Sequence, residues 1–249
     1  MQVVDHTESI IELYGVTFSY SGEEVIKNVT IALHRGDYLG IVGPNGGGKS
    51  TLIKLMLGLV SPKRGSVKLF GQDISKFRDW YKIGYVPQKN YFDINFPVTV
   101  SEVVLMGTYA RRGLFHFTTK EDHKKAQAAL EQVEMSDFAK RQISDLSGGQ
   151  QQRVFIARAL VTQPEIIFMD EPTVGVDVKS QKRFYDLLRR LNREMDLTLV
   201  LSTHELDVVG HEATELGYIN RTLDYWGDPQ IFLKGDYFHK LIGRGGLHH

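Results

Sequence analysis

The fold is decided by the stretch Gly43-Pro44-Asn45-Gly46-Gly47-Gly48-Lys49-Ser50-Thr51. An apolar run at 38–42 precedes it and predicts a strand, and the run at 49–57 after it predicts a helix. The spacing is G-x-x-x-x-G-K-[ST], and a strand–loop–helix setting is the one in which this pattern binds phosphate. Glycines let several backbone N–H groups face one anion, and the start of a helix adds the positive end of its dipole. The stretch therefore predicts a loop that holds the phosphates of a nucleotide.

The polar residues of this loop have predicted contacts. Lys49 would reach the β- and γ-phosphates as a point charge, and the Ser50 hydroxyl would ligate Mg²⁺. The other expected nucleotide contacts are Asn45, Gly46, Gly47, Gly48 and Thr51. The alternative is an ordinary turn between a strand and a helix, but such a turn needs one or two glycines rather than four followed by Lys-Ser-Thr. The pattern therefore favours a nucleotide with Mg²⁺.

Composition narrows the class of protein. The chain has 249 residues, of which 42% are hydrophobic, and this suits one large domain or a domain with an inserted lobe. Because 30 Lys and Arg residues balance 30 Asp and Glu residues, a nucleic-acid partner is not expected. The absence of cysteine excludes disulfides, thiolate metal sites and cysteine nucleophiles. No apolar run approaches the roughly 20 residues that cross a bilayer, and residues 1–12 lack the apolar core of a signal peptide. We therefore expect any membrane role to come from a partner.

Short strands are predicted on both sides of the phosphate loop. Residues 10–42 contain strand-like runs separated by turns at Ser21-Gly22 and Arg35-Gly36-Asp37, and residues 66–70 predict another strand. We expect these strands to form a small antiparallel layer beside the nucleotide.

The later part of the chain alternates between strands and helices. The predicted strands are 83–88, 165–169 and 197–201. Residues 179–195 predict an amphipathic helix. Residues 99–145 read as helices instead, beginning at Thr99 and at a capping box at Thr119. The predicted fold class is α/β: a P-loop NTPase core with a mostly parallel sheet, an antiparallel β layer and an inserted helical subdomain.

Asp170-Glu171 ends a predicted buried strand, where open α/β sheets place their ligands. An aspartate there can hold Mg²⁺ through water, and the glutamate can orient or deprotonate an attacking water. The alternative role of the two acids is to cap the turn before Pro172. A phosphate loop in the same chain favours the catalytic role.

Leu146-Ser147-Gly148-Gly149-Gln150 precedes a helix predicted at 151–160. Ser147 and Gln150 form a capping box by themselves, which is the simpler explanation. A capping box does not need two glycines, which lower helix stability. They would leave N–H groups exposed at a helix start, which suits a phosphate.

The order of these motifs resembles that of ATP-binding cassette (ABC) proteins over about residues 10–230. Residues 43–51 are similar to their Walker A motif, 166–171 to Walker B, and 146–150, followed by Gln151-Gln152-Arg153, to their signature motif. The remaining matches are Tyr20 (A-loop aromatic), Gln88 after Tyr85-Val86-Pro87 (Q-loop), Asp177 in Val174-Gly175-Val176-Asp177 (D-loop) and His204 (switch histidine).

The resemblance implies ATP and Mg²⁺ as cofactors and ATP hydrolysis as the activity. It implies that Glu171 is the general base or water-orienting residue and that His204 contacts the γ-phosphate. Tyr20 would stack on adenine. The set Ser50, Gln88 and Asp170 would hold Mg²⁺, in part through water. The simpler alternatives are a turn residue for Gln88, an ordinary strand aromatic for Tyr20 and a strand-end histidine bonded to backbone for His204.

The resemblance also implies that the signature acts in trans. The residues concerned are Ser147, Gly148, Gly149 and Gln150. They would close on the nucleotide held by a second copy, so the working form would be a homodimer of nucleotide-binding domains.

A finer resemblance is to the ATPase subunits of zinc and manganese importers. It is carried by residues 95–107, 111–115, 171–177 and 218–221. It implies a separate integral-membrane permease, an indirect substrate-binding protein, and a peripheral location on the cytoplasmic face of the cell membrane. The nine histidines are scattered, so we expect the transported metal not to bind this chain. The alternatives are a metal-chelate (siderophore) importer and a non-transport ABC ATPase of the iron–sulfur assembly type.

We expect residues 1–249 to form one nucleotide-binding domain. About 10–88 and 155–225 would form the ATPase core with its antiparallel layer. About 89–154 would form the helical subdomain with the signature. Residues 226–249 would be a C-terminal extension, in which no motif is recognisable.

Overall fold

A computed structural model describes residues 9–88, 97–112 and 117–235, apart from the side chains of Ala110, Arg112, Asp207 and Val208. The chain divides into two compact units, Met1–Phe77 with Thr198–His249, and Arg78–Leu197. Parts of the metal-importer resemblance, at 95–96 and 113–115, lie outside the described residues, as does the C-terminal extension from 236 onward.

The first unit contains most of the strands. They are β1 (Ser9–Ser19), β2 (Glu24–His34), β3 (Tyr38–Val42), β4 (Arg64–Leu69), β5 (Gln72–Asp73), β8 (Thr198–Ser202), β9 (Glu215–Asn220) and β10 (Thr222–Gly227), with helices α1 (Lys49–Met56), α7 (Leu206–Glu212) and α8 (Pro229–Lys234). The second unit contains β6 (Ile83–Val86), β7 (Ile166–Asp170), α2 (Val100–Met106), α3 (Tyr109–Arg112), α4 (Lys120–Gln132), α5 (Gly148–Leu160) and α6 (Val178–Met195).

Two kinds of strand pairing occur in the first unit. Strands β2, β1, β4 and β5 pair in that order as an antiparallel sheet. Strand β3 pairs in parallel with β8 and with β9, and β10 pairs antiparallel with β9. Both β3 and β8 are buried along their whole length, which is typical of parallel strands covered on two faces. The predicted α/β class with parallel strands and an antiparallel layer is confirmed.

A bulge explains why β2 does not alternate regularly. Its buried residues are Ile26, Val29, Ile31 and Leu33, so the inward face shifts by one residue after Ile26. Asn28 has φ 49, and the pairing with β1 changes register between Val16 and Phe18. A bulge inserts one such extra residue and re-aims the chain.

The first unit also uses the start of the C-terminal extension. Helix α8 is capped by Asp228, whose carboxylate accepts from the N–H groups of Gln230 and Ile231. Phe232 is buried in a cluster with Val42 and Val209. Residues 226–235 therefore contribute to the core, although their sequence shows no motif.

In the second unit, β6 and β7 pair in parallel with Val86 opposite Met169. Helix α2 contacts α4 and α5. The predicted capping box of Thr119 with Asp122 is present on α4, and a second capping box, of Thr99 with Glu102, begins α2. The boundary predicted for the next helix was wrong: α5 begins at Gly148, not at residue 151, because the Ser147 capping box satisfies its first turn despite two glycines.

No helix in the described ranges combines the length and the apolar composition that a bilayer crossing requires.

Candidate nucleotide-binding site

The phosphate loop lies in the first unit, between the end of β3 and the start of α1. The Lys49 side chain is only 5% exposed. Its Nζ donates to the carbonyl oxygens of Gly43, at 3.1 Å, and Pro44, at 3.3 Å. The loop therefore folds its own backbone around the ammonium group. A phosphate oxygen could replace either carbonyl as the partner of this charge.

Two glycines of the loop are required by their neighbours. Gly48, the N-cap of α1, has φ 103, and a Cβ there would lie 2.9 Å from the Val25 carbonyl oxygen. At Gly43 a Cβ would lie 2.0 Å from the Ile219 carbonyl oxygen. Backbone atoms of the same unit thus exclude any side chain at both positions.

His204 follows β8 at the same edge of the sheet as the loop. Ile41 of β3 is in register with Ser202, and the Thr203 N–H donates to the Ile41 carbonyl at 3.0 Å. The carboxyl ends of parallel strands lie at one edge, so Gly43 and His204 both leave the sheet there. The His204 side chain is exposed.

Tyr20 lies just beyond the end of β1. Its ring is 58% exposed and packs edge-on against Phe18, with ring centroids 4.8 Å apart. Phe18 therefore contacts the ring while much of the ring surface stays open, which suits stacking on a base.

The second unit brings Gln88 and Glu171 together. Gln88 follows β6 and Glu171 follows β7, and the Gln88 Nε2 donates to Glu171 Oε2 at 2.7 Å. Asp170 is 4% exposed at the end of β7. Glu171 has φ 44, a left-handed conformation that is unusual for a residue with a side chain. Strain of this kind clusters at functional sites.

The signature segment begins α5. The Ser147 N–H donates to Gln150 Oε1 at 2.9 Å, and the Gln150 N–H donates to Ser147 Oγ at 3.4 Å. A Cβ on Gly149 would lie 2.9 Å from the Ser180 Cβ. One on Gly148 would meet no described atom within 4 Å. Packing against Ser180 therefore explains why residue 149 is a glycine. No contact in the described part of the unit requires a glycine at position 148.

Asp177 is the N-cap of α6. Its Oδ1 accepts from the Ser180 N–H at 3.0 Å. Hydrogen bonds from the Ser180 side chain and from the Ser180 backbone lower the pKa of Asp177 below its ordinary value. Because Gly149 packs on Ser180, the signature segment and the predicted D-loop are adjacent within this unit.

Sequence reasoning missed one element of the site. The hairpin of β9 and β10 contacts the phosphate loop, with the Arg221 N–H donating to the Gly47 carbonyl at 2.8 Å. The aromatic residues on both sides of Asn220-Arg221 could have indicated a hairpin, but the turn lacks the glycine that usually marks one. Among the described residues, no group of three or more His, Asp or Glu side chains is placed to hold a metal ion.

Known proteins are similar to this chain in sequence and in fold. The ABC transporter family profile matches residues 26–174. The chain is 45% identical to the zinc uptake system ATP-binding protein ZurA of Listeria innocua over 94% of this chain and 90% of that protein. It is 46% identical to the manganese transport system ATP-binding protein MntB of Bacillus subtilis over 79% and 77%. A dimeric structure of the ATP-binding cassette MJ0796, bound to ADP and Pi after hydrolysis, matches with a TM-score of 0.71 and 31% identity over 88% of this chain and 98% of that one.

The phosphate loop, the ordered motifs and these similarities lead to one assignment. The chain belongs to the ABC transporter family, as an ATP-binding and ATP-hydrolysing cassette.

Proposed function

We propose that this chain is the ATPase subunit of an importer for zinc or manganese. It would act with a separate integral-membrane permease and, indirectly, with a substrate-binding protein. Its place would be peripheral, on the cytoplasmic face of the cell membrane.

The observation that carries the proposal is the similarity to a zinc uptake ATPase along almost the whole chain. Manganese transport ATPases match at nearly the same identity, so the two metals are not separated by sequence similarity alone. The metal-chelate (siderophore) alternative rests on lower similarity, because a putative metal-chelate type ABC transporter matches at 29% identity.

The side chains of the two predicted motifs and of the phosphate loop suit ATP hydrolysis. Lys49 and the amides of residues 45–51 would hold the phosphates. Ser50, Gln88 and Asp170 offer hydroxyl, amide and carboxylate oxygens, the donor types that Mg²⁺ prefers. When bound, Mg²⁺ would neutralise charge on the phosphate oxygens. Because the Gln88 nitrogen donates to Glu171, the amide oxygen of Gln88 is the atom suited to a metal.

Glu171 would orient the attacking water and accept its proton. Its hydrogen bond from Gln88 and its left-handed backbone fix the carboxylate at the end of β7. His204 would contact the γ-phosphate. Tyr20 would stack on the adenine.

The working form would be a dimer in which Ser147, Gly148, Gly149 and Gln150 of one copy close on the nucleotide of the other. The open space at Gly148 supports this role, and the dimeric MJ0796 cassette provides a related precedent. ATP would hold the dimer closed, and hydrolysis would release it. Asp177 would belong to the same face, beside Gly149.

Transport is tested by co-expressing the chain with the integral-membrane permease with which it co-purifies. The recipient is a bacterial strain that lacks its own zinc and manganese importers. Rescue of growth under chelation by added zinc or manganese, but not iron, is expected, and the Glu171→Gln variant should not rescue. Co-purification with soluble scaffold proteins only, and no permease, would reject import.

The shared site is tested by dilution. If each site needs two copies, the specific ATPase activity falls as the chain is diluted below its dimerisation range. A constant specific activity down to concentrations at which light scattering shows only monomers would contradict the split site.

A further inference from the structure

The turn between β9 and β10 has an unusual backbone. Arg221 lies between the paired residues Asn220 and Thr222 and has φ 65. This left-handed conformation is uncommon for a residue with a long side chain. Residues 218–221 are also part of the stretch that resembles metal importers.

The left-handed turn makes a backbone hydrogen bond with the phosphate loop. The Arg221 N–H donates to the Gly47 carbonyl at 2.8 Å. The Gly47 carbonyl and the Gly48 N–H belong to one planar trans peptide, in which they point in opposite directions. Fixing the carbonyl toward the hairpin therefore turns the Gly48 N–H away from it, as a loop that binds anions through its amides requires.

A second contact holds the other end of the loop. The Ile219 carbonyl oxygen lies against Gly43, where a Cβ would be only 2.0 Å away, and against Gly47, where it would be 2.9 Å away. The hairpin thus touches the loop where it leaves β3 and again just before α1.

The same turn is also tied to the segment that follows Tyr20. The Lys27 N–H donates to the Arg221 carbonyl at 2.7 Å. The Arg221 Nη1 lies 2.7 Å from Glu23 Oε1, between two largely exposed side chains. Arg221 therefore connects the phosphate loop with β2 through Lys27 and with the segment between β1 and β2 through Glu23.

We propose that Arg221 is a positioning residue for ATP binding, and that its left-handed backbone, rather than its side chain, sets the orientation of the Gly47–Gly48 peptide. This inference rests on the proposed function, because it concerns how the phosphate loop is held. The exposed ion pair with Glu23 contributes little, as surface pairs generally do.

The test compares three variants by their affinity for ATP and for tripolyphosphate, which has the phosphates without the base. Arg221→Gly keeps the left-handed conformation without strain and removes the side chain. Arg221→Val places a β-branched residue where it is strongly disfavoured, so the turn shifts and releases the Gly47 carbonyl. Glu23→Gln removes only the ion pair.

With Arg221→Val, both affinities should fall about tenfold, because a β-branched side chain disfavours the left-handed conformation more strongly than the unbranched Arg side chain does. The KM for ATP should rise by about the same factor, with kcat at saturating ATP within about twofold of wild type. Arg221→Gly and Glu23→Gln should keep both affinities within about twofold. Should Arg221→Val not fold, Arg221→Thr, which is also β-branched, is measured instead, with a loss in the same direction.

Two results would overturn the inference. One is a lower unfolding midpoint for Arg221→Val with both affinities unchanged, which would make the turn merely structural. The other is an equal loss in Arg221→Gly and Arg221→Val, which would make the side chain responsible. Lys49→Ala separates this inference from the proposed function: if that variant also keeps its affinity for tripolyphosphate, the assignment of the phosphate loop fails. If Lys49→Ala loses affinity and Arg221→Val does not, the phosphate-loop assignment is supported and the proposed role of Arg221 is rejected.

Discussion

Two glycine-rich segments open a helix in this protein, residues 43–48 before α1 in the first unit and residues 147–149 around the start of α5 in the second. In the phosphate loop, Gly43 and Gly48 lie against carbonyl oxygens of Ile219 and Val25, which exclude a Cβ. In the signature segment a Cβ on Gly149 would lie against Ser180, whereas one on Gly148 would meet none of the atoms that the structure describes.

The difference shows whether contacts within one unit are enough to explain each glycine. The loop is shaped by its own unit, so its geometry can be understood from one copy of the chain. In the described part of its unit, no contact requires a glycine at position 148. Glycine is also less favourable in a helix than alanine, so its presence at the start of α5 needs another explanation. The proposed function supplies the reason, since a second copy would bring its nucleotide to this position.

The largest effect is expected for Glu171→Gln, which tests whether the signature segment meets a partner. Removing a general base lowers turnover by about 100- to 10,000-fold, while ATP binding should survive. ATP should then hold two copies together, so size-exclusion chromatography should show a dimer with ATP and a monomer without it. The matched control is Glu194→Gln on the exposed side of α6, which should hydrolyse ATP normally.

A Glu171→Gln variant that turns over ATP at the normal rate would remove this residue from catalysis. If turnover is lost without an ATP-dependent dimer, Glu171 remains catalytic but the two-copy explanation of Gly148 fails.

The phosphate loop itself is tested by Lys49→Ala. Two charge-assisted contacts to phosphate oxygens are lost, so the affinity for ATP should fall by about 100-fold in isothermal titration. Lys54→Ala, on the same helix, is the control and should bind ATP as the wild type does. An unchanged affinity in Lys49→Ala would contradict the phosphate-loop assignment.

Local patterns were enough to predict much of both segments. The glycines with Lys49 predicted the loop between β3 and α1, and Thr99 and Thr119 predicted the starts of two helices. The predicted start of α5 was wrong because two consecutive glycines, which lower helix stability, favoured a loop over a first helical turn at 148–149. The capping box already indicated Ser147 as its N-cap, and the first helical residue is the one that follows.

Contacts distant in sequence could not be predicted in this way. The sequence pattern around Ile219 does not predict that its carbonyl oxygen lies against Gly43. That contact depends on the pairing of β9 with β3. The bond between Gln88 and Glu171 likewise depends on the pairing of β6 with β7. The residues of the proposed site were recognisable from sequence by their types, but the groups that hold them were not.

A smaller effect separates the two glycines of the signature segment. Gly148→Ala should leave the free energy of unfolding unchanged or raise it by up to about 1 kcal/mol, since alanine favours the helix. It should nevertheless lower ATPase activity about tenfold, a loss of about 1.4 kcal/mol in contact with the second copy. Gly149→Ala is the matched comparison and should lower stability by about 1–3 kcal/mol, because its Cβ would overlap Ser180. Full ATPase activity in Gly148→Ala would show that no second copy of the chain closes on position 148.

The smallest effect concerns Asp177, whose carboxylate accepts from the N–H of Ser180, the residue against which Gly149 packs. Its pKa is lowered from 3.8 in the folded chain, so the charged form stabilises the fold relative to the unfolded chain. This contribution is complete above pH 3.8, falls as the pH drops toward the folded pKa, and is absent below it. Asp177→Asn keeps the cap on α6 without the titrating charge. The difference in unfolding midpoint between wild type and variant should therefore shrink on acidification from about pH 7 to about pH 3. A difference that stays constant over this range would show that the charge at the start of α6 contributes nothing to its stability.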